Sequence, residues 1–252
     1  MKLLLLGGTS EAKQMAARLH QRGVKVIYSV AGLVRQPELA CSLVSGGFSQ
    51  RGGLPLYIEQ QAITAILDMT HPYAEQMTQT ATQVAKQLAL PYWRYQRPAW
   101  QPDSDDQWHY AASYQTLWPA LAGQKAVLWT SGQLPSWLLA AMAADRSVQH
   151  IVRTAVAPLA LLQALPEHIT WVEAIGPFSL AQECDLLARH QVTALVSKDS
   201  GGKTLASKLI AARQQRLPVF LLTRPSAPLL GKIFDELDDC ENTITQHFLA
   251  AG

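Results

Sequence analysis

The chain has 252 residues, of which 48% are hydrophobic and 16% are charged, with 21 Lys and Arg against 19 Asp and Glu. This length suits one large domain or two smaller ones, and the low charged fraction argues against disorder. The formal net charge of +2 is too small for an electrostatic grip on nucleic acid, so no nucleic-acid partner is predicted.

The cysteines and histidines predict neither a disulfide framework nor a metal site. Cys41, Cys184 and Cys240 lie far apart, and the seven histidines have no metal-ligand spacing. The apolar run at Leu3–Leu6 is too short for a secretory signal, and no run approaches the roughly 18 apolar residues of a membrane-spanning helix. These features favour a cytoplasmic protein that does not enter a membrane.

Short apolar segments alternate with helical patterns through the first hundred residues. The apolar segments predict strands at 3–6 and within 24–30, 40–44, 62–69 and 90–95, and the helical spacing predicts helices over 10–22 and 73–88. Strands separated by helices are typical of parallel sheets with helical crossovers.

A segment rich in proline and turn-forming residues, 97–106, interrupts this alternation and predicts a linker. Strands are then predicted at 108–111, 126–129, 150–153, 170–174, 193–196 and 219–222, with helices over 114–121, 134–143, 159–165, 180–190, 204–216 and 239–250. The pattern predicts an α/β protein with two domains, residues 1–97 and 98–252, each built on a mostly parallel sheet.

The turn at 197–204 is the most distinctive in the chain. A strand ends there, two glycines follow, and Lys198, Lys203 and Lys208 surround the predicted start of a helix. Glycines allow close approach of a ligand, and the free amides of a helix start favour phosphate. A tight turn with solvated lysines is the simpler alternative. The first glycine of a Walker A loop would stand at 197, which is Ser197, so nucleotide hydrolysis is not predicted.

The first strand leads into Gly7-Gly8-Thr9-Ser10, which is similar to a dinucleotide-binding turn. Thr9 stands where the second glycine of Gly-x-Gly-x-x-Gly belongs, and the second strand lacks the usual terminal acidic residue. An alternative role for Thr9 or Ser10 is to cap the following helix.

The fourth strand leads into Thr70-His71-Pro72-Tyr73. A residue before proline avoids helical geometry, so His71 and Tyr73 are expected at the ligand edge of the sheet as hydrogen-bond or proton donors. A structural role for the histidine is the alternative. Further polar residues end strands of the second half or begin its helices, namely Thr130, Ser131, Gly132, Arg153, Ser179 and Arg224. Together they favour a polyanionic ligand.

Five segments occur in an order and at distances that resemble the precorrin-6A reductases of cobalamin biosynthesis: 6–12, 68–74, 176–179, 197–202 and 224–225. The resemblance implies two Rossmann-like domains with a cleft between them. It also implies that a nicotinamide cofactor reduces one double bond of precorrin-6A, or of its cobalt form, to give the 6B compound. The substrate would then be a tetrapyrrole bearing many carboxylates.

Candidate roles follow from the resemblance and the turns together. His71 and Tyr73 are the catalytic candidates. The cofactor candidates are Gly7, Gly8, Thr9, Ser10, Lys198, Asp199, Ser200, Gly201, Gly202 and Thr204. The substrate candidates are Thr130, Ser131, Gly132, Arg153, Ser179, Lys203 and Arg224. NADPH is the expected cofactor, with NADH possible, and the 198–204 turn could bind cofactor phosphate or substrate carboxylate. The alternatives are a non-catalytic binding protein for an anionic small molecule or tetrapyrrole, and a group-transfer enzyme using a nucleotide donor.

Overall fold

The computed structural model describes residues 1–31, 39–156, 165–202, 205–226 and 230–250. The chain forms two compact units. The first contains Met1–Pro98 and Pro225–Gly252, and the second contains Ala99–Arg224. Among the described residues, each unit has a six-stranded sheet in which every strand pairing is parallel. The predicted α/β class with two parallel sheets is therefore confirmed.

The sheet of the first unit has the strand order β12-β5-β4-β1-β2-β3. Its strands are β1 (Leu3–Leu6), β2 (Val26–Val30), β3 (Ser42–Ser45), β4 (Ala65–Asp68), β5 (Tyr92–Tyr95) and β12 (Lys232–Phe234). Its helices are α1 (Ser10–Gln21), α2 (Leu54–Gln60), α3 (Glu75–Gln87) and α8 (Leu237–Leu249), with a 3-10 turn at Phe48–Arg51.

The four leucines of β1 are buried on both faces of this sheet. Leu3 and Leu5 belong to a core with side chains of α1 and α8, whereas Leu4 and Leu6 belong to a core with side chains of α2 and α3. Successive side chains of a strand point to opposite faces, so a continuous apolar run is what a sheet covered by helices on both sides requires.

The second unit has the strand order β6-β11-β10-β7-β8-β9. Its strands are β6 (Trp108–Ala111), β7 (Ala126–Trp129), β8 (Gln149–Thr154), β9 (Ile169–Glu173), β10 (Ala194–Lys198) and β11 (Val219–Leu222). Its helices are α4 (Tyr114–Ala120), α5 (Ser136–Ala144), α6 (Leu180–Arg189) and α7 (Ser207–Gln214). Side chains of α6 and α7 share one core with alternate residues of the central strands, such as Leu128, Leu195 and Leu221.

The last 28 residues belong to the first unit, whereas the prediction placed them in the second domain, 98–252. The first boundary lies at Pro98, within one residue of the prediction, but the chain returns to the first unit at Pro225. β12 pairs with β5, and buried Cys240 and Ile244 of α8 join the core of α1. A strand of three residues has too little pattern to be read from sequence, so β12 was not predicted, and neither was α2.

Both sheets have a topological switch point at the same place in their strand order. In the first sheet, β2 and β3 lie on one side of β1, and the chain then crosses to β4 on the other side of β1. In the second sheet, β8 and β9 lie on one side of β7, and the chain then crosses to β10 on the other side of β7. In open parallel sheets, ligands bind outside the carboxyl ends of the strands at such a point. The turns after β1, β4, β7 and β10 are therefore the first places to look for a site.

Candidate functional site

The turn after β1 has a glycine that no other residue could replace without rearrangement. A Cβ at Gly7 would lie 2.2 Å from Cζ of Tyr28 and 2.4 Å from its hydroxyl. The same hydroxyl accepts a hydrogen bond from the amide of Gly8 at 2.9 Å. Gly8 has a φ of +116° and faces open space, because a Cβ there would meet nothing within 4 Å. The side chain of Tyr28 thus supports the turn on one side, and the space beside Gly8 is open.

Thr9 caps helix α1, which is the alternative role that the sequence predicted for it. Its hydroxyl accepts from the amide of Ala12 at 3.1 Å and donates to the carbonyl of Met69 at 3.1 Å. The amides of Ser10 and Glu11 are the first two of α1 and have no intrahelical acceptor. Arg97 contacts both carboxylate oxygens of Glu11 at 3.2 Å, which offsets the acidic charge beside this helix start.

The hydrogen bond from Thr9 to Met69 joins the two turns at the first switch point. A shallow recess at this edge is lined by Thr9, Glu11, Met69, Thr70, Pro72, Tyr95, Gln96 and Arg97. The recess thus borders the glycine turn and the histidine turn at once.

His71 and Tyr73 lie together in the turn after β4, with ring centroids 5.6 Å apart. The backbone amide of Tyr73 donates to Nδ1 of His71 at 3.3 Å. Because Nδ1 accepts, the hydrogen of the neutral ring is assigned to Nε2, which makes that nitrogen a donor. Helix α3 begins at Glu75, two residues later than predicted, so both side chains precede the helix.

Asp68, the last residue of β4, is fully buried beneath this turn. Its carboxylate accepts two hydrogen bonds from Thr70, and three more from Thr78, Tyr92 and Arg94. Burial, followed by the charge of Asp68, raises the pKa of the Tyr92 phenol above its ordinary value, so it remains a donor. Asp68 was not among the predicted site residues, although an arginine inside the strand 92–95 was a signal for a buried acidic partner.

At the second switch point, the turns after β7 and β10 are adjacent. The amide and the hydroxyl of Thr130 both donate to the carbonyl of Val196, at 2.9 and 3.0 Å. Ser131 is buried and Gly132 is exposed, with a φ of +77°. The structure therefore brings the 130–132 and 198–202 segments to one edge, although the first was predicted to bind substrate and the second cofactor.

The 198–202 segment is tied to neighbouring backbone at several points. Oδ1 of Asp199 accepts from the amide of Trp100 at 3.2 Å, and the indole of Trp100 donates to the carbonyl of Gly202 at 2.8 Å. Arg224 donates to the carbonyl of Asp199 at 2.9 Å and lies 3.6 Å from its Oδ1. Asp199 thus serves partly to fix the turn itself.

The positive φ values of Gly201 (+65°) and Gly202 (+79°) explain the glycine pair, since this conformation strains other residues. Ser200 is buried, and its amide donates to the carbonyl of Lys198 at 2.7 Å. Burial lowers the pKa of the Lys198 ammonium from its ordinary value.

Helix α7 begins at Ser207, later than the expected start at 204. The first amides of this helix therefore belong to Ser207 and the residues after it. Two predicted site residues, Lys203 and Thr204, lie outside the described residues, as do residues 159–164 of the helix expected over 159–165.

Arg153 and Ser179 lie near the ends of β8 and β9 and already have partners. Arg153 is buried, forms two hydrogen bonds to Glu183 at 2.9 and 3.0 Å, and stacks on the ring of Phe178. Ser179 caps α6 by accepting from the amide of Gln182 at 3.2 Å. The charge of Arg153 is thus compensated within the unit, which departs from the expectation of a substrate-binding cation.

Two further observations concern the described ranges as a whole. Within them, no three His, Cys, Asp or Glu side chains are grouped to hold a metal ion. None of the helices there combines the length and hydropathy of a bilayer-spanning segment.

Comparison with known proteins finds one family along nearly the whole chain. The model of the precorrin-6x reductase family CbiJ/CobK matches residues 2–246. Precorrin-6A reductase of Rhodococcus erythropolis is 34% identical over 241 residues, which is 94% of each chain. Cobalt-precorrin-6A reductase of Priestia megaterium is 26% identical over 236 residues, 88% of this chain and 90% of that one. A solved structure of CobK precorrin-6A reductase matches with a TM-score of 0.84 and 29% identity, covering 98% of this chain and 97% of that one.

Proposed function

This chain belongs to the CbiJ/CobK precorrin-6x reductase family, and we propose that it uses NADPH to reduce one double bond of precorrin-6A, giving precorrin-6B in cobalamin biosynthesis. The family is one of reductases that use a nicotinamide cofactor on a tetrapyrrole precursor. The observation that carries the proposal is the chemistry of the two switch points. One has an open glycine turn beside His71, and the other has hydroxyls and cations.

The residues after β1 fit a dinucleotide. Gly8 faces open space, and the amides of Ser10 and Glu11 are the first two of α1, a helix of 12 residues. These groups would hold the cofactor pyrophosphate, which helix starts favour. The amide of Gly8 is not in this set because Tyr28 accepts from it.

NADPH is the proposed cofactor because the end of β2 has no acidic side chain. Dinucleotide folds that prefer NADH place a carboxylate there to bind the ribose hydroxyl, and this carboxylate would repel a 2′-phosphate. In this chain, Ser29, Val30 and Ala31 follow Tyr28. NADPH is therefore accepted without electrostatic repulsion at this position.

The second switch point is assigned to the carboxylates of the ring. Lys198 ends β10, and Arg224 and Ser131 follow the ends of the neighbouring strands β11 and β7, so these side chains belong to one edge of the sheet. An Arg or Lys with nearby hydroxyl donors binds carboxylates through charge-assisted hydrogen bonds. The 198–202 turn is therefore proposed to bind substrate carboxylates. Its residues were predicted as cofactor candidates, with substrate carboxylate as the other possible ligand.

Reduction of one double bond consumes two electrons as hydride and one proton. A reduced nicotinamide supplies the hydride when it is bound. Nε2 of His71 and the hydroxyl of Tyr73 are the donors that we place against the ring, where they orient it or pass on the proton. The remaining task of the protein is to hold the reacting carbons in contact and to exclude water.

The proposal is tested with purified protein, NADPH, NADH and precorrin-6A under anaerobic conditions. Nicotinamide fluorescence should report saturable binding of NADPH at least about tenfold tighter than of NADH, a difference near 1.4 kcal/mol. NADPH should be oxidised only when the ring is added. Binding of the ring without oxidation of either cofactor would identify a non-catalytic binding protein instead.

The cobalt form of the ring is the second arm of this experiment. The protein is more similar to the Rhodococcus precorrin-6A reductase, at 34% identity, than to the Priestia cobalt-precorrin-6A reductase, at 26%. We therefore expect faster turnover with the metal-free ring. Faster turnover with the cobalt form would change the proposed substrate and leave the proposed reaction in place.

A further inference from the structure

The buried carboxylate of Asp68 joins the turn after β4 to two other elements of the first unit. Oδ1 accepts from the amide of Thr70 at 3.0 Å and from its hydroxyl at 2.7 Å. Oδ2 accepts from Thr78 of α3 at 2.8 Å, and from Tyr92 and Arg94 of β5 at 2.9 and 3.0 Å. One carboxylate thus fixes the turn to a helix on one side and a strand on the other.

The two residues before His71 are held from opposite sides. Met69 is bound to the first glycine turn, because its carbonyl accepts from Thr9 at 3.1 Å and its amide donates to Leu6 at 2.9 Å. Thr70 is bound to Asp68. Since both residues are fixed, the backbone delivers the imidazole of His71 to a defined place.

The cation of this network is as deeply buried as the carboxylate. Arg94 is 4% exposed, and its Nη1 donates to Thr78 at 2.6 Å as well as to Asp68. A buried ion pair often adds little to stability relative to apolar packing, because desolvation opposes the Coulomb attraction. Stability alone is therefore a weak reason for placing five donors on one carboxylate at the ligand edge.

We propose that Asp68 is a positioning residue for the reaction: acting through Thr70, it holds the His71–Tyr73 turn in the geometry that presents Nε2 of His71 to the substrate. The inference rests on the proposed function for its effect on turnover. It also predicts a property of the turn itself that can be measured without substrate.

Thr70→Val tests the link while leaving the contacts of Asp68 with Thr78, Tyr92 and Arg94 in place. Turnover with precorrin-6A should fall about tenfold, which corresponds to about 1.4 kcal/mol of transition-state stabilisation, and the Kd for NADPH should stay within about twofold. Thr70→Ser restores the hydroxyl and should recover most of the turnover. Asp68→Asn should lower turnover further than Thr70→Val does. If the Asp68→Asn protein fails to fold, the two Thr70 variants alone test the proposal.

Thr64→Val is the matched control. Thr64 directly precedes β4, whereas Thr70 follows it, and its hydroxyl donates to the carbonyl of Lys2 and accepts from the Lys2 amide. Its loss should lower the melting temperature about as much as Thr70→Val does, with turnover unchanged.

The imidazole NMR signals of His71, assigned by their loss in His71→Ala, provide the second measurement. They should shift or broaden in Thr70→Val and remain as in the wild type in Thr64→Val. Unchanged His71 signals and unchanged turnover in Thr70→Val would overturn the inference. A wild-type protein that neither binds nor oxidises NADPH would refute the proposed function, and the NMR comparison would still decide whether Thr70 fixes the turn.

Discussion

The phenol of Tyr28 occupies the space that a side chain at position 7 would need. Gly7 directly follows β1, Tyr28 is in the neighbouring strand β2, and the tyrosine hydroxyl accepts from the amide of Gly8. Burial raises the pKa of this phenol above its ordinary value, so it stays protonated. The glycine turn is therefore shaped by a buried side chain of the next strand as well as by its own sequence.

Gly7→Ala should disturb this turn because the new methyl group has no room. Overpacking of this kind destabilises by about 1–3 kcal/mol, and we expect the Kd for NADPH to rise at least about tenfold. Fluorescence titration and urea unfolding measure the two effects. Gly47→Ala is the control, because a Cβ there would meet its nearest neighbour at 3.4 Å. Equal affinity of Gly7→Ala and wild type would remove the turn from the cofactor site.

His71→Ala should lower turnover much more than stability. The side chain is half-buried and its ring contacts Tyr73, so a loss of about tenfold or more in turnover is expected from a positioned donor. His20→Ala, an exposed change in α1, should leave turnover unchanged. If turnover of His71→Ala is normal, or falls only because less folded protein is present, His71 has a structural role.

Lys198→Ala should weaken binding of the ring. We expect the KM for precorrin-6A to rise about tenfold and its dependence on salt to become shallower, because one cation fewer faces the carboxylates. The Kd for NADPH should not change. Lys125→Ala, an exposed change at the opposite end of β7, is the control. A weaker Kd for NADPH with an unchanged KM for the ring would assign the 198–202 turn to the cofactor phosphates.

His150 should make the free energy of unfolding depend on pH. Burial, the largest cause, lowers its pKa from 6.5 to about 4, and its Nδ1 accepts from Trp129. Above pH 6.5 the ring is neutral in both states, whereas the unfolded chain binds the proton more readily as the pH falls towards 4. Stability should therefore drop by about 3 kcal/mol across this range.

His150→Gln removes this titration and keeps an acceptor for the Trp129 indole. Urea unfolding at several pH values should show a shallower loss of stability for the variant than for the wild type. Parallel curves would mean that other groups cause the acid sensitivity.

Ile244→Ala tests whether α8 belongs to the first unit. The side chain is fully buried in the core with Met15 and Leu19 of α1, so its truncation should cost about 3 kcal/mol. Hydrogen exchange should become faster in α1 than in α6. Leu249→Ala, at a side chain that is 65% exposed, should change stability by less than about 0.5 kcal/mol. Faster exchange confined to the second unit would contradict the division of the chain.

The amino-acid sequence by itself determined the α/β class, the two parallel sheets and most of the strands. These features depend on local patterns: short apolar runs, helical spacing and glycine turns recur in chain order. The strand-end turns that could bear ligands were readable for the same reason, since parallel strands separated by helices place their carboxyl ends on one edge.

Only the tertiary structure decided which side chains share a contact. It returned β12 and α8 to the first unit, paired Arg153 with Glu183, and placed Tyr28 under Gly7. It also gathered Thr70, Thr78 and Arg94 around Asp68. These partners are separated along the chain, and their pairing depends on how strands and helices pack, which local periodicity does not encode.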